Sequence, residues 1–472
     1  MNNTTFNTRF VIGITLVATL GGLLFGYDTA VISGTTQALD HFFVTPLREV
    51  YGLTDNMASA IKGFIISSAL IGCIVGGVLG GPISQHMGRR NGLILAAFLF
   101  SISALGSALP DYFAPFDIPT VASLIFFRIV GGVGVGLASM LSPMYIAEIA
   151  PAAIRGKLVS LNQFAIIFGL LVVYFVNYFI ALQGDATWLD TIGWRWMFAS
   201  ELIPSLLFFI LLFFVPKTPR FLMFKNETQE AEKVLTRLYG AVEAKKEMIQ
   251  IKDTLVEKNM PWLSFGWAVI IIGILISVFQ QAVGINVVLY YAPEIFRTIG
   301  SGTDTSLLQT IIVGIINLTF TVVAILTVDR FGRKPLMIIG AAGMSISMFA
   351  PALTFYFEQV GLTTLIFMLI YTASFAVSWG PVAWVLLAEI FPNSIRGALS
   401  IAVAVQWLAN FLVSWTFPIL NENAYLTEHF HHGFSYALYG VMGILAAWFV
   451  WKFVPETKGK TLEEIESFWE KK

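Results

Sequence analysis

A few ionisable side chains lie inside otherwise apolar stretches of this sequence. Asp28 follows the uncharged run from Phe10 to Tyr27, and Arg128 and Glu201 each lie within a further apolar run. A carboxylate in a membrane interior is costly, so it usually faces a partner or an aqueous path. Beside an arginine it stays ionised while paired and takes up a proton when the pair separates. We therefore predict a proton-coupling group of Asp28, Arg128 and Glu201. The alternative is a permanent ion pair that only holds helices together.

Amide side chains form a second group inside the apolar stretches. An amide both donates and accepts hydrogen bonds, which suits a neutral ligand with hydroxyl groups without introducing charge. For any single amide, the alternative is a hydrogen bond between packed helices. As a set, Gln163, Gln280, Gln281, Asn286, Asn317 and Gln406 predict a polar cavity within the membrane.

Two glycines near these amides predict breaks in the helices. Gly284 lies between Gln281 and Asn286, and Gly380 with Pro381 precedes Trp384. Transport proteins often interrupt helices near the centre of the membrane, where the freed backbone lines a cavity. An indole such as Trp384 can stack on the C–H surface of a sugar while its N–H donates a hydrogen bond.

The elements that position these residues follow from composition. Hydrophobic residues make up 57% of the 472-residue chain and charged residues only 12%, against roughly 25% charged in an average soluble domain. Apolar runs long enough to cross a bilayer, with few or no charged residues, occur twelve times. The sequence therefore predicts an all-α membrane protein of twelve transmembrane helices. A net charge of −1 gives no general attraction to nucleic acid, and we predict no nucleic-acid partner.

Basic residues are concentrated in every second loop, including Arg89, Arg155, Arg333 and Arg396, whereas the other loops hold little beyond Arg48 and Arg297. By the positive-inside rule, this bias predicts that both termini are cytoplasmic. We expect a multi-pass, monomeric protein of the inner (plasma) membrane that is surrounded by the lipid bilayer.

The loops also repeat. "AEIAPAAIRG" (147–156) returns as "AEIFPNSIRG" (388–397), and "MGRR" (87–90) returns as "FGRK" (331–334). The repeat predicts two six-helix halves. Ala231, Val234, Leu235 and Leu238 share one helical face in the long polar segment between the halves. We expect an N-terminal half (1–216), a cytoplasmic helical linker (217–260), a C-terminal half (261–455) and a cytoplasmic tail (456–472).

Several short motifs occur in the right order and on the right side of these helices. They are "GRR" (88–90), "PKTPRFL" (216–222), "GRK" (332–334), "AEIFP" (388–392) and "PETKG" (455–459). Together they resemble the sugar porter family of the major facilitator superfamily, over essentially the whole chain. The runs at 280–296, 379–392 and 406–418 are particularly similar to the bacterial D-xylose/proton symporters of that family.

The resemblance implies roles for individual residues. The amides listed above and Trp384 match positions that contact sugar in the family, and Tyr290, Gly380 and Trp407 are expected to gate or line the cavity. Glu148 precedes Arg155 by the same spacing as Glu389 precedes Arg396. We expect these pairs, with Arg89 and Arg333 of the neighbouring basic loops, to form a cytoplasmic latch.

The predicted function is proton-coupled symport of a monosaccharide, such as D-xylose or a D-glucose-like sugar, by alternating access. A facilitative sugar uniporter and a non-transporting sugar sensor are the alternatives. No nucleophile–base pair, phosphate loop or metal cluster indicates an enzyme, and no cofactor is expected. His429, His431 and His432 lie in a polar loop without the spacing of a metal site.

Overall fold

The computed structural model describes residues 6–113, 120–151, 154–254, 264–391, 399–458 and 469. All regular secondary structure in these ranges is helical. Twelve segments are long and apolar enough to cross a membrane, so the predicted number is confirmed. Arg396 lies outside the described residues.

We number the twelve segments as spans 1 to 12. Span 6 contains a π-helical turn at Leu189–Gly193, and spans 7 and 10 are each formed by two helices in succession. In chain order the spans are Thr8–Gly34, Asp55–His86, Gly88–Ala108, Thr120–Ile149, Arg155–Ala181, Ala186–Leu212, Trp267–Thr298, Thr303–Val328, Arg333–Tyr356, Leu362–Ile390, Leu399–Asn421 and Phe434–Phe453.

Twelve crossings place the start of span 1 and the end of span 12 on one side, which we call the terminal face; the opposite side is the far face. Short helices cover both faces. On the far face they are Thr36–Leu39, the π-helical turn Asp40–Val44, Thr45–Tyr51, the 3-10 turn Pro110–Phe113 and Ala424–Phe430. Between the halves they are Pro219–Phe224, Thr228–Tyr239 and Ala241–Thr254.

The spans form two six-helix halves, as predicted. Spans 2, 3 and 4 pack together in the first half and spans 9, 10 and 12 in the second, while spans 2 and 11 and spans 5 and 8 meet between the halves. Small residues permit the closest approaches. A Cβ atom on Gly132 of span 4 would lie 1.8 Å from the carbonyl oxygen of Ala69 on span 2, so only glycine allows these two backbones to meet.

The first predicted break lies where expected. The two helices of span 7, Trp267–Ala282 and Ile285–Thr298, are separated at Gly284, whose φ of 88° is in the left-handed region that favours glycine. The Tyr371 hydroxyl donates a 2.7 Å hydrogen bond to the carbonyl of Val283. This bond satisfies a backbone group that the break removes from the helical pattern.

The second break lies earlier than the sequence suggested. The helices of span 10 are Leu362–Ala376 and Trp379–Ile390. Gly380 and Pro381 therefore lie in the first turn of the second helix. Proline is tolerated there because the first-turn N–H groups have no partner within the helix, so the chain breaks before Trp379 and not at Gly380.

The linker helix Thr228–Tyr239 packs beneath the first half. It buries Ala231, Leu235 and Leu238, and Val234 is half-buried on the same face. The Asn7 N–H donates a 2.9 Å hydrogen bond to the carbonyl of Leu238. The apolar face read from the sequence is therefore the face that packs against the start of span 1.

Candidate functional site

Gln280 is the centre of a hydrogen-bonded amide cluster in the second half. It is buried on span 7, and its Nε2 donates to the carbonyls of Trp379 at 2.9 Å and Gly380 at 3.3 Å. Its Oε1 accepts from Gln281 Nε2 at 3.3 Å and from Gln406 Nε2 at 2.5 Å. The cluster thus joins spans 7 and 11 to the broken part of span 10.

The amide cluster continues along span 7 to Asn286, and the remaining predicted sugar-binding residues lie outside its hydrogen bonds. Asn286 Nδ2 donates a 2.6 Å hydrogen bond to Gln281 Oε1 across the break at Gly284. Asn317, on span 8, is buried, whereas Gln163 on span 5 and Trp384 on span 10 are half-buried. Among the described residues, Asn317, Gln163 and Trp384 do not take part in the hydrogen bonds that link the other amides. The other four predicted sugar-binding residues are therefore linked by hydrogen bonds; they are Gln280, Gln281, Asn286 and Gln406.

The residues expected to gate the cavity lie next to it. Tyr290 is buried, and its hydroxyl accepts a 3.4 Å hydrogen bond from Asn410 Nδ2. The Trp407 ring is 5.5 Å from that of Phe25 on span 1, so it contacts both halves. Within the described part of the chain, Trp407 Nε1 and Gln406 Oε1 are buried without a hydrogen-bond partner. Such atoms are places where a water or a ligand hydroxyl can bind.

Sequence reasoning missed Trp379 and gave Asn410 no role. Trp379 is fully buried, its Nε1 donates a 2.8 Å hydrogen bond to the Met337 carbonyl, and its own carbonyl accepts from Gln280. An aromatic residue in an apolar segment carries no signal of its own. Its position directly before Gly380 and Pro381 is the one feature that could have indicated it.

The predicted proton-coupling residues are brought together in the first half. Asp28 and Arg128 are 0% and 1% exposed, and Arg128 Nη1 is 2.9 Å from Asp28 Oδ1. Arg128 Nη2 also donates a 3.2 Å hydrogen bond to the Asp28 carbonyl. Spans 1 and 4 are therefore joined by an ion pair that is sealed from solvent.

Glu201 lies beside this ion pair. It is 1% exposed, occupies the junction between Trp194–Ser200 and Leu202–Leu212, and interacts electrostatically with both Asp28 and Arg128. Asp28 Oδ2 and Glu201 Oε1 are buried without a hydrogen-bond partner among the described residues. Two carboxyl groups therefore lie in the electrostatic field of one guanidinium, and Asp28 is the one at ion-pair distance from it among the described residues.

The terminal-face charges form one ion pair in each half. Arg89 Nη2 is 2.7 Å from Glu148 Oε1 in the first half. In the second, Arg333 binds both carboxylate oxygens of Glu389, at 2.8 and 3.1 Å. The Arg155 side chain is exposed and donates to the Ala150 carbonyl at 3.3 Å. Glu148 therefore pairs with the basic loop and not with the arginine seven residues after it.

The far face is closed by contacts between the halves. Trp415 Nε1 on span 11 donates a 2.9 Å hydrogen bond to the Ala60 carbonyl on span 2, and the Phe64 ring packs edge-on against that of Trp415. Asn423 Nδ2 donates to Asn56 Oδ1 at 3.2 Å. On the terminal face, the ion pairs between described side chains each lie within one half or within the linker.

Comparison with known proteins gives matches over nearly the full length. The family model described as "Sugar (and other) transporter" matches residues 14–469. The D-xylose-proton symporter of Escherichia coli (strain K12) is 59% identical, covering 99% of this chain and 97% of that protein. The glucose facilitated diffusion protein of Zymomonas mobilis subsp. mobilis is 42% identical, covering 97% of each. A solved structure, the inward open conformation of the xylose transporter XylE from E. coli, has a TM-score of 0.87 and 57% identity, covering 98% of this chain and 100% of that one.

Proposed function

Because the chain belongs to the family of sugar (and other) transporters, we propose that it carries a monosaccharide across a membrane together with a proton. D-xylose and D-glucose are the proposed substrates, since relatives in the family are named for xylose and glucose. The sugar crosses unchanged, so the polar residues bind and release it and catalyse no reaction. The protein alternates between a state open to one face and a state open to the other.

The observation that carries proton coupling is the buried group of Asp28, Arg128 and Glu201. When both carboxyls are ionised, one guanidinium leaves a unit of negative charge unpaired in a sealed site. A proton bound at either carboxyl removes that charge. When Arg128 separates from Asp28, a carboxylate loses its partner, and a further proton is needed to neutralise it. Proton binding and helix movement therefore favour each other.

The amide cluster supplies the sugar site. Gln280, Gln281, Asn286 and Gln406 form hydrogen bonds to one another. A sugar hydroxyl that donates and accepts can replace one of these bonds without leaving a buried amide unpaired. Trp407 Nε1 and Gln406 Oε1 provide a further donor and acceptor, and Trp384 offers an apolar face to the ring.

The closed far face and the charge bias support an orientation for this structure. Basic loops lie at the terminal face, so we assign that face to the cytoplasm and the far face to the outside. Both termini are then cytoplasmic, and the state described is closed to the outside. Boundaries near 216, 260 and 455 separate the two moving halves from the linker and the tail.

A facilitative uniporter is the second candidate, because one relative is named for facilitated diffusion of glucose. The two are separated by uptake of labelled sugars into proteoliposomes with and without a pH gradient, acidic outside. We expect D-xylose or D-glucose to accumulate above its external concentration only when the gradient is present. Equilibration at the same final level with and without the gradient would favour the uniporter.

Gly63 provides a test of alternating access. A Cβ atom there would lie 2.2 Å from the carbonyl oxygen of Trp415 on the opposite half, too close for the far face to close. Gly63→Val should therefore reduce net uptake by at least tenfold, on the order of a 1–3 kcal/mol overpacking penalty on the closed state. Sugar binding at equilibrium should persist because the amide cluster is unchanged.

Gly81, on the same span, is the matched control for the Gly63 variant. A Cβ atom there meets nothing within 4 Å, so Gly81→Val adds the same side chain to the same helix without crossing to the other half. We expect it to transport at the parent rate. Equal uptake by both variants would mean that closure of the far face is not a step of transport.

A further inference from the structure

An ion cluster at the far face remains unexplained by sugar or proton binding. Lys62, near the start of span 2, is 7% exposed. Its Nζ is 2.8 Å from Glu294 Oε1, 2.7 Å from Glu422 Oε1 and 3.5 Å from Asp40 Oδ2. We call these four residues the far-face cluster. Three carboxylates around one ammonium are an unusual grouping so close to the membrane interior.

The partners of Lys62 belong to different halves. Glu294 lies in span 7 and Glu422 directly follows span 11, so both belong to the second half, whereas Asp40 follows span 1 in the first. Ser59, one turn before Lys62, also donates to Glu422, through its hydroxyl at 2.5 Å. Opening of the far face must therefore separate Lys62 from Glu294 and Glu422 but not from Asp40.

We propose that Lys62 is a charge switch of the outer gate, which exchanges the carboxylates of Glu294 and Glu422 in the closed state for that of Asp40 in the open state. The proposal rests on the alternating access proposed above. The switch is separate from the residues that bind the sugar and the proton. Its role is to set the balance between the closed and the open state of the far face.

The charges explain why such a switch needs all four residues. In the closed state the second half presents two carboxylates to a half-buried interface, and without Lys62 they would repel each other and Asp40 there. In the open state the carboxylates of the second half are hydrated, while Lys62 would lose every partner if Asp40 were absent. Lys62 therefore favours closure, and Asp40 favours opening by stabilising the separated ammonium.

Spin-label distances across the far face test this assignment. Tyr112 and Tyr425, exposed residues of the first and second half, are replaced by cysteine in a Cys73→Ala background and labelled. Lys62→Met should raise the ratio of long to short distances by roughly tenfold, since it leaves uncompensated charge at the closed interface. Glu422→Gln should shift the ratio in the same direction by less. Asp40→Asn should shift it toward short distances.

Controls separate the switch from general damage. Lys62→Arg keeps the charge and should keep the parent distribution. Arg48→Gln breaks an ion pair with Asp55 on the same face but within the first half, and it should have no effect on the distances. Binding of D-xylose and D-glucose by calorimetry verifies that each variant is folded.

Unchanged distances in both Lys62→Met and Glu422→Gln would overturn the proposal, and so would a shift of Asp40→Asn in the same direction as Lys62→Met. If Lys62→Met fails to fold, Glu422→Gln and Asp40→Asn decide by the signs of their shifts. Failure of the parent to bind either sugar would contradict the proposed function instead, while the distances would still report on the cluster.

Discussion

Replacing Asp28 with asparagine should abolish sugar accumulation driven by a proton gradient and leave sugar binding in place. Asparagine has nearly the shape of the protonated acid and can still accept a hydrogen bond from Arg128 Nη1, which lies 2.9 Å from Asp28 Oδ1. It cannot release a proton, so its charge no longer differs between the two conformations. A group without differential affinity for protons cannot couple their gradient to transport.

The measurements for Asp28→Asn are calorimetric binding and gradient-driven uptake in the same preparation. Asp111→Asn is the matched control, because it removes a carboxylate from a more exposed ion pair with Arg195 and should accumulate sugar normally. If Asp28 only holds spans 1 and 4 together, the variant should fold poorly and lose binding as well, because a buried Arg128 would lack its charge partner. Full accumulation by a well-folded Asp28→Asn would exclude both roles.

Replacing Gln281 or Trp384 with alanine should weaken sugar binding by more than tenfold. Gln281 accepts from Asn286 and donates to Gln280, so its loss removes a polar partner from the centre of the cavity, a cost of about 1–2 kcal/mol. In the proposed site, Trp384 supplies the apolar surface on which a sugar ring would stack. Gln280 is a less informative target, because it also holds the carbonyls at the break of span 10.

Calorimetric titration with D-xylose and D-glucose measures both variants. Gln183→Ala is the control, since this exposed glutamine, just after span 5, bonds to the Phe179 carbonyl of that span, and it should bind sugar like the parent. Parent-like affinity in both Gln281→Ala and Trp384→Ala would place the sugar in a different cavity.

Much of the fold could be predicted because the bilayer imposes strong constraints on sequence. The number of spans follows from apolar length, and the two halves follow from the repeated loops. The break of span 7 could be located because Gly284 takes a backbone conformation that other residues rarely adopt. The break of span 10 was misplaced because Pro381 marks the first turn of a helix as readily as its interruption.

The site was harder to predict wherever its members come from distant parts of the chain. Asp28 was conspicuous because charge is rare inside a span, and Arg128 was the obvious partner. Lys62 is positively charged like Arg128, but it lies near the start of span 2, where a lysine side chain usually extends to water. Only the folded chain shows it buried among carboxylates of both halves. Within the expected latch, Arg89 of the basic loop is the partner of Glu148, while the Arg155 side chain is exposed.

Proton movement caused by sugar is the most direct test of symport. Proteoliposomes in a lightly buffered medium, with no initial pH gradient, receive D-xylose and then D-glucose while an electrode records the external pH. We expect the medium to become more alkaline when a transported sugar is added, because each inward sugar takes a proton with it, and we expect no change with Asp28→Asn. Uptake of labelled sugar by the parent protein without any rise in external pH would contradict proton coupling.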